Sequence, residues 1–155
     1  MPTAYILVGI PGSGKTTWVG HQDTDWSKTS FISTDKTVDQ EAIKQGKTYS
    51  EVFNDSMQAA LAKMVNDVVD AKKEGKDIIW DQTSTTITSR KRKFNMLLPE
   101  YKMVAVVFPI PDPQELKRRL DSRPGKVIPP DVIKTMIEHY QEPTKEEGFD
   151  EIIYA

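Results

Sequence analysis

Apolar residues follow two patterns along this chain: short unbroken runs, and longer stretches in which they recur every three or four positions. The runs at 4–8 (Ala-Tyr-Ile-Leu-Val) and 103–108 (Met-Val-Ala-Val-Val-Phe) predict strands buried on both faces, because a strand covered on one face alternates apolar with polar residues. Shorter runs at 31–33 and 78–80 predict two further strands, followed by Asp35 and Asp81, and 151–154 predicts a last one. From Thr48 onward Val52, Phe53, Met57, Ala60, Leu61, Met64, Val65 and Val68 recur at helical spacing, predicting a long amphipathic helix ended by Gly75. Shorter helices are predicted from Lys15 to about Gly20, over 89–98 before Pro99, over 113–123 with Pro113 in its first turn, and over 131–140. Strands alternating with helices predict an α/β fold with a central parallel sheet of about five strands and helices on both faces, as a single domain spanning 1–155.

The turn after the first run carries the decisive chemistry. Gly9-Ile-Pro-Gly-Ser-Gly-Lys15-Thr16 fits the phosphate-binding pattern G-x-x-x-x-G-K-[ST], and it lies between a predicted strand and a predicted helix, the context the pattern requires. Its glycines let the backbone curl so that N–H groups converge on phosphate oxygens, Lys15 reaches the outer phosphates, and the Thr16 hydroxyl suits Mg²⁺. Gly9, Pro11, Gly12, Ser13, Gly14, Lys15, Thr16 and Thr17 are the expected nucleotide-binding residues, and ATP with Mg²⁺ the expected cofactors.

Ligands of open α/β sheets bind beyond the carboxyl ends of the strands, which directs attention to Asp35 and Asp81. Asp35 suits the base that takes a proton from an attacking hydroxyl; it equally suits a helix N-cap, as do Ser33 and Thr34. Asp81 suits a metal-holding or acceptor-holding acid, or else a turn residue before Gln82-Thr83. Arg119 and Arg123 stand four apart and lead into Pro124-Gly125-Lys126. They fit either a mobile lid over the phosphates, with Gly125 as hinge, or a solvated basic face. Arg90-Lys91-Arg92-Lys93 fits a grip on a polyanion or simple solvation. Trp18, Trp80 and Tyr49 are the aromatics that suit stacking on an exposed base, although Trp80 and Tyr49 are expected in the core, and His21 and His139 lack partners at ligand spacing.

Composition narrows the class. The chain has 155 residues, 21 Lys+Arg and 23 Asp+Glu, so its formal charge of −2 argues against coating nucleic acid by bulk charge. That balance is a sum of separate blocks: residues 90–126 carry +6, 1–89 carry −3 and 127–155 carry −5. The positive block contains the expected lid and basic helix, a local grip for phosphates. Absence of cysteine excludes disulfides, thiolate metal sites and a Cys nucleophile, and fits a cytoplasmic setting. No apolar stretch reaches the roughly 20 residues of a membrane span, and no signal peptide is expected.

Taken together, Gly9 to Trp18, Asp35, Asp81-Gln82-Thr83, Arg119, Arg123 and Lys126-Val-Ile-Pro resemble the 5′-hydroxyl polynucleotide kinases of bacteriophages and their repair-enzyme relatives. Residues 129–154, with Glu-Glu-Gly-Phe-Asp-Glu-Ile-Ile-Tyr, are similar to the kinase-like domain of heterogeneous nuclear ribonucleoprotein U. The resemblance implies a P-loop kinase fold with an Arg-bearing lid, and transfer of the ATP γ-phosphoryl group to a 5′-hydroxyl end of DNA or RNA in nucleic-acid repair, in the host cytoplasm if viral. It implies catalytic roles for Asp35, Lys15, Arg119 and Arg123, metal-holding roles for Thr16 and Asp81, and acceptor contacts from Asp35, Asp81, Gln82, Thr83 and Arg90. Two departures stand out. The Asp-x-Asp-Gly-Thr motif of an accompanying phosphatase is missing, and Val38 occupies the place where the family tends to carry an arginine for the acceptor's phosphate. The acceptor therefore stays open between a nucleic-acid end, a hydroxymethylated base in phage DNA, and a nucleoside or small alcohol. A binding module without turnover is the reading from another class.

Overall fold

The first apolar run becomes the central strand. In the computed structural model, which describes residues 1–155, β1 (Thr3–Val8) pairs in parallel with β3 (Asp77–Asp81) on one side and β4 (Lys102–Val107) on the other. β2 (Thr29–Ser33) lies outside β3 and β5 (Glu151–Tyr154) outside β4, so the sheet runs β2-β3-β1-β4-β5, all parallel. The chain fills one side of β1 before crossing to the other, and at such a reversal the loops beyond the strand ends part to leave a crevice. The P-loop leaves β1 at that point.

Alternate residues of β1 serve opposite faces. Ala4, Ile6 and Val8 join Val68 and Ala71 of α3 (Tyr49–Glu74) and Phe94 and Leu97 of α4 (Ile87–Leu97) in the main core. Leu7 points the other way, with Ile79, Val106 and Phe108, under Trp18 and Val19 of α1 (Lys15–His21). Phe94 and Phe149 meet at 4.8 Å between ring centroids, an edge contact worth about 1 kcal/mol beyond its burial. No helix is long and apolar enough to cross a membrane.

The structure adds a helix that the apolar pattern does not announce. α2 (Thr34–Gln45) is polar along most of its length and buries only Thr34, Val38 and Ala42. Its ends are specified locally: the Ser33 hydroxyl accepts from the Lys36 N–H, and Gly46 closes it in the left-handed region. Asp35 is therefore in the first helical turn, and Ser33 is the cap. The long predicted helix is α3, opened by a reciprocal capping box between Thr48 and Glu51 and closed at Gly75.

α5 (Pro113–Asp121) stops short of the predicted 123, because Pro124 disfavours helical geometry at Arg123. Arg123 accordingly sits in the loop 122–129 rather than on a shared helix face with Arg119. α6 (Pro130–Glu138) follows. Beneath that loop, Ile10 of the P-loop packs with Leu116 of α5 and Ile133 of α6, tying the lid elements to the phosphate-binding turn.

Candidate active site

The P-loop is anchored at its entry by the Gly9 N–H, which donates to the Thr83 carbonyl at 2.9 Å. At its exit Gly14 turns into α1 with φ 103°, a conformation only glycine adopts without strain, and no side chain caps the helix. The opening N–H groups of α1 are thus left to an incoming anion. Lys15 folds back and donates to the Gly9 carbonyl at 2.8 Å. Burial pushes its ammonium below the ordinary lysine range, against the opposing pull of Asp81 and Asp35. The Ser13 hydroxyl is buried with no hydrogen-bond partner, an orphaned polar group inside the loop that an anion would satisfy.

Pro11, Gly12, Ser13, Gly14, Lys15, Thr16 and Thr17 line one cleft of about 1260 Å³, and Asp35, Asp81, Gln82, Thr83, Arg119 and Arg123 line the same cleft. The register explains the meeting of the two acids: Ser33 of β2 pairs with Asp81 of β3, so Asp35 and Asp81 emerge on adjacent strand ends. Burial raises the Asp81 carboxyl above its usual range, with Lys15 opposing and Asp35 adding to the rise. Asp35 goes the other way. Burial would raise it too, but hydrogen bonds from Tyr49 and Lys126 outweigh that and hold it below the usual carboxylate range.

Arg119 reaches back from α5: its Nη1 donates to the Gly12 carbonyl at 2.9 Å and its Nε to Glu115 at 2.9 Å. Arg123 lies 3.8 Å from Asp39. Gln82 accepts from the Trp80 indole N–H at 3.1 Å and donates to the Thr34 hydroxyl at 3.4 Å, so its amide is oriented from both sides. The turn that follows holds Ser84 at φ 48°, an unusual left-handed non-glycine position.

One expected contact is overturned. Arg90 is 0% exposed, bound through Nε and Nη2 to the two carboxylate oxygens of Glu147 at 2.8 and 3.0 Å and through Nη1 to the Ser84 carbonyl. It braces the turn after β3 from behind and has no free donor face for an acceptor. Lys93 also faces inward, its ammonium 5.2 Å from the Trp80 ring centroid, which leaves only Lys91 and Arg92 of the basic cluster in solvent.

Tyr49 joins the site, and Lys126, expected as a lid cation, is brought to Asp35. Tyr49, expected in the core, instead donates its hydroxyl to Asp35 Oδ1 at 2.6 Å, and Lys126 donates to Asp35 Oδ2 at 2.9 Å while lying 4.3 Å from the Tyr49 ring centroid. Phe53 lies beside Tyr49, 5.6 Å between centroids, and with Met57, Val132 and Met136 gives this side of the cleft an apolar wall. The helical spacing of Tyr49, Phe53 and Met57 on α3 was the available signal, one turn apart each time.

A five-stranded parallel sheet in this order, with a P-loop after its central strand and arginines on the lid, defines a P-loop kinase-like domain. Residues 5–143 match the family described as an AAA domain (AAA_33), and the chain belongs to that family, which implies nucleotide binding. It is 24% identical over 161 residues to heterogeneous nuclear ribonucleoprotein U-like protein 2 of Mus musculus, a match covering 97% of this chain and 21% of that protein. The chain thus spans about a fifth of that relative's length. Among solved structures, a chain of the Pnkp1/Rnl/Hen1 RNA repair complex superposes with a TM-score of 0.67 at 22% identity, covering 89% of this chain and 43% of that one. A gluconokinase from Sinorhizobium meliloti does so with a TM-score of 0.57 at 17% identity, covering 99% and 81%. The fold is thus common to proteins acting on RNA and on small molecules.

Proposed function

We propose that this domain transfers the γ-phosphoryl group of ATP to the 5′-hydroxyl end of a nucleic acid. The observation that carries the reading is the composition of the acceptor side of the cleft: a half-exposed carboxylate, Asp35, beside a wall of Tyr49, Phe53, Met57 and Met136. A sugar acid would need cations and hydrogen-bond donors along that wall. Flat aromatic and thioether surfaces suit a nucleobase, whose π-face stacks on aromatic side chains. The likeness to the RNA repair chain agrees with this acceptor.

In the reaction the acceptor O–H gives its proton to Asp35 as its oxygen attacks the γ-phosphorus, and the bond to the β–γ bridging oxygen breaks to release ADP. Lys15 and the P-loop N–H groups hold the phosphates, while Arg119 and Arg123 offset the charge spread over the transferring group. The donor set beside the P-loop, a hydroxyl from Thr16 and a carboxylate from Asp81, is of the hard oxygen type that suits Mg²⁺. Thr16 and Asp81 are the residues that would hold the ion, which would neutralise phosphate charge there.

The test is labelled-phosphate transfer from ATP to 5′-hydroxyl DNA and RNA oligonucleotides, to DNA carrying an internal hydroxymethylated base, to free nucleosides and to gluconate. Faster transfer to an oligonucleotide end than to any other acceptor is expected. Preference for another acceptor removes the proposed substrate, and ATP binding without transfer to any of them removes the enzyme reading in favour of a nucleotide-dependent binding module.

A further inference from the structure

The segment 122–129 is docked on the first turn of α3 at the wall of the cleft. The Ser50 N–H donates to the Gly125 carbonyl at 3.1 Å, and the Val127 N–H donates to the Ser50 hydroxyl at 3.0 Å. Gly125 has φ 72°, and a Cβ placed on it would come within 2.7 Å of the Thr48 Cβ, so glycine is required both by backbone geometry and by this close approach. The docking delivers Lys126 into the cleft wall with its side chain 6% exposed, against 51% for the Asp35 side chain it binds. Lys126 and Tyr49 take one oxygen of Asp35 each, and the half-exposed carboxylate keeps an edge open to the cleft that all three residues line. A carboxylate has about four lone-pair sites, so a hydroxyl proton can still be accepted on that open edge.

We infer that Lys126 is a positioning residue that makes the orientation of Asp35 conditional on lid closure. This rests on the proposed role of Asp35 as the base. The segment that carries Lys126 also carries Arg123 and directly follows α5, which bears Arg119, so one movement would assemble the phosphate clamp and lock the base. With the lid open, Asp35 keeps Tyr49 alone and its carboxylate is free to rotate about χ2. Coupling of this kind favours transfer to a bound acceptor over loss of the phosphoryl group to water, because water reaches the site most easily when the lid is open.

The experiment combines three variants, Lys126→Met, Lys126→Arg and Gly125→Ala, with two readouts. In transfer assays Lys126→Met lowers kcat by about tenfold to a hundredfold, part of the contribution of an aligned base, with a smaller change in KM for ATP, and Lys126→Arg recovers most of the loss. The acid limb of its kcat/KM profile moves to higher pH, since the cation beside Asp35 is gone. Gly125→Ala, which changes no charged group, moves the limb the same way. An unmoved limb in Lys126→Met, or loss that Lys126→Arg does not repair, overturns the inference. The second readout needs no turnover: hydrogen exchange of residues 122–129 rises in Asp35→Asn and in Lys126→Met, and the double variant exchanges no faster than the faster single one. Additive increases, or none, overturn the coupling. If wild-type chain phosphorylates no nucleic-acid end while the exchange data behave as stated, the proposed acceptor fails and the lid coupling stands.

Discussion

The Arg119 guanidinium hydrogen-bonds the Gly12 carbonyl at 2.9 Å across 107 residues of chain, joining the lid helix to the phosphate-binding turn. Its second partner, Glu115 at 2.9 Å, holds the fork from within the same helix. Arg119 is therefore placed beside the P-loop without any ligand. Arg119→Ala is expected to lower kcat by about 10³-fold in transfer assays, and Arg119→Lys to recover little, because an ammonium cannot reproduce the planar fork. Activity within tenfold of wild type in Arg119→Ala would remove the residue from the phosphate clamp.

Asp35 and Lys15 separate by what they touch. Asp35→Ala should abolish transfer while calorimetric ATP binding stays nearly unchanged, whereas Lys15→Ala should weaken binding and turnover together. Retained transfer in Asp35→Ala would end its assignment as base.

Asp35 also predicts a pH dependence of stability. Its carboxyl is held below the ordinary range, so it contributes stability above the unfolded-chain value of about 3.9, and that contribution is lost as pH falls through the lower folded value. Because the group is half-exposed, the effect is small, under about 1 kcal/mol. Denaturation midpoints of wild type and Asp35→Asn should differ most near neutral pH and converge in acid.

Lys93 has the opposite consequence. Burial pushes its ammonium down to about 8, with Arg92 and Arg90 adding to the effect, and no carboxylate compensates it. The unfolded chain then binds more protons than the folded one between about pH 8 and 10.5, so stability rises with pH there. Lys93→Met keeps the packing against Trp80, removes the charge, and is expected to stabilise the fold at pH 7 by about 1–3 kcal/mol. Urea denaturation at pH 7 and pH 9 checks both points: the gain should shrink at the higher pH.

The Arg90–Glu147 pair is almost fully enclosed, with side chains 0% and 8% exposed. Arg90→Ala leaves a buried carboxylate without its partner and should cost about 3–5 kcal/mol by chemical denaturation. Pairing it with Glu147→Gln should restore part of that loss, since the stranded charge is then gone.

The P-loop and the strands around it were legible because each depends on residues close together in the chain. An unbroken apolar run with glycines after it leaves few alternatives to a buried strand and a tight turn, and Asp81 follows such a run directly. α2 was legible only at its start, where Ser33 was one of the candidate caps: Val38 and Ala42 make too thin an apolar stripe to announce the rest of the helix. Tyr49 was placed in the core because a tyrosine at helical spacing satisfies core packing as well as it satisfies a site; its hydroxyl acquires a partner only when the first turn of α2 carries Asp35 opposite the start of α3.

The order of charges in the chain likewise left the destination of each cation undecided. Four basic residues in a row at 90–93 must point around a whole helical turn, and Glu147, 57 residues away, decides that Arg90 turns inward while Lys91 and Arg92 remain outside. Lys126 read as one more lid cation, and its attachment to Asp35 required the docking of Gly125 on Thr48 and Ser50, 75 and more residues earlier. Local sequence by itself determined the phosphate-binding turn, its flanking strand and helix, and the acids at the strand ends, since short-range backbone geometry and apolar periodicity specify those. Tertiary structure alone decided which cations line the cleft, which one binds Asp35 and which are spent in the core, because burial and long-range partners set the direction of these side chains.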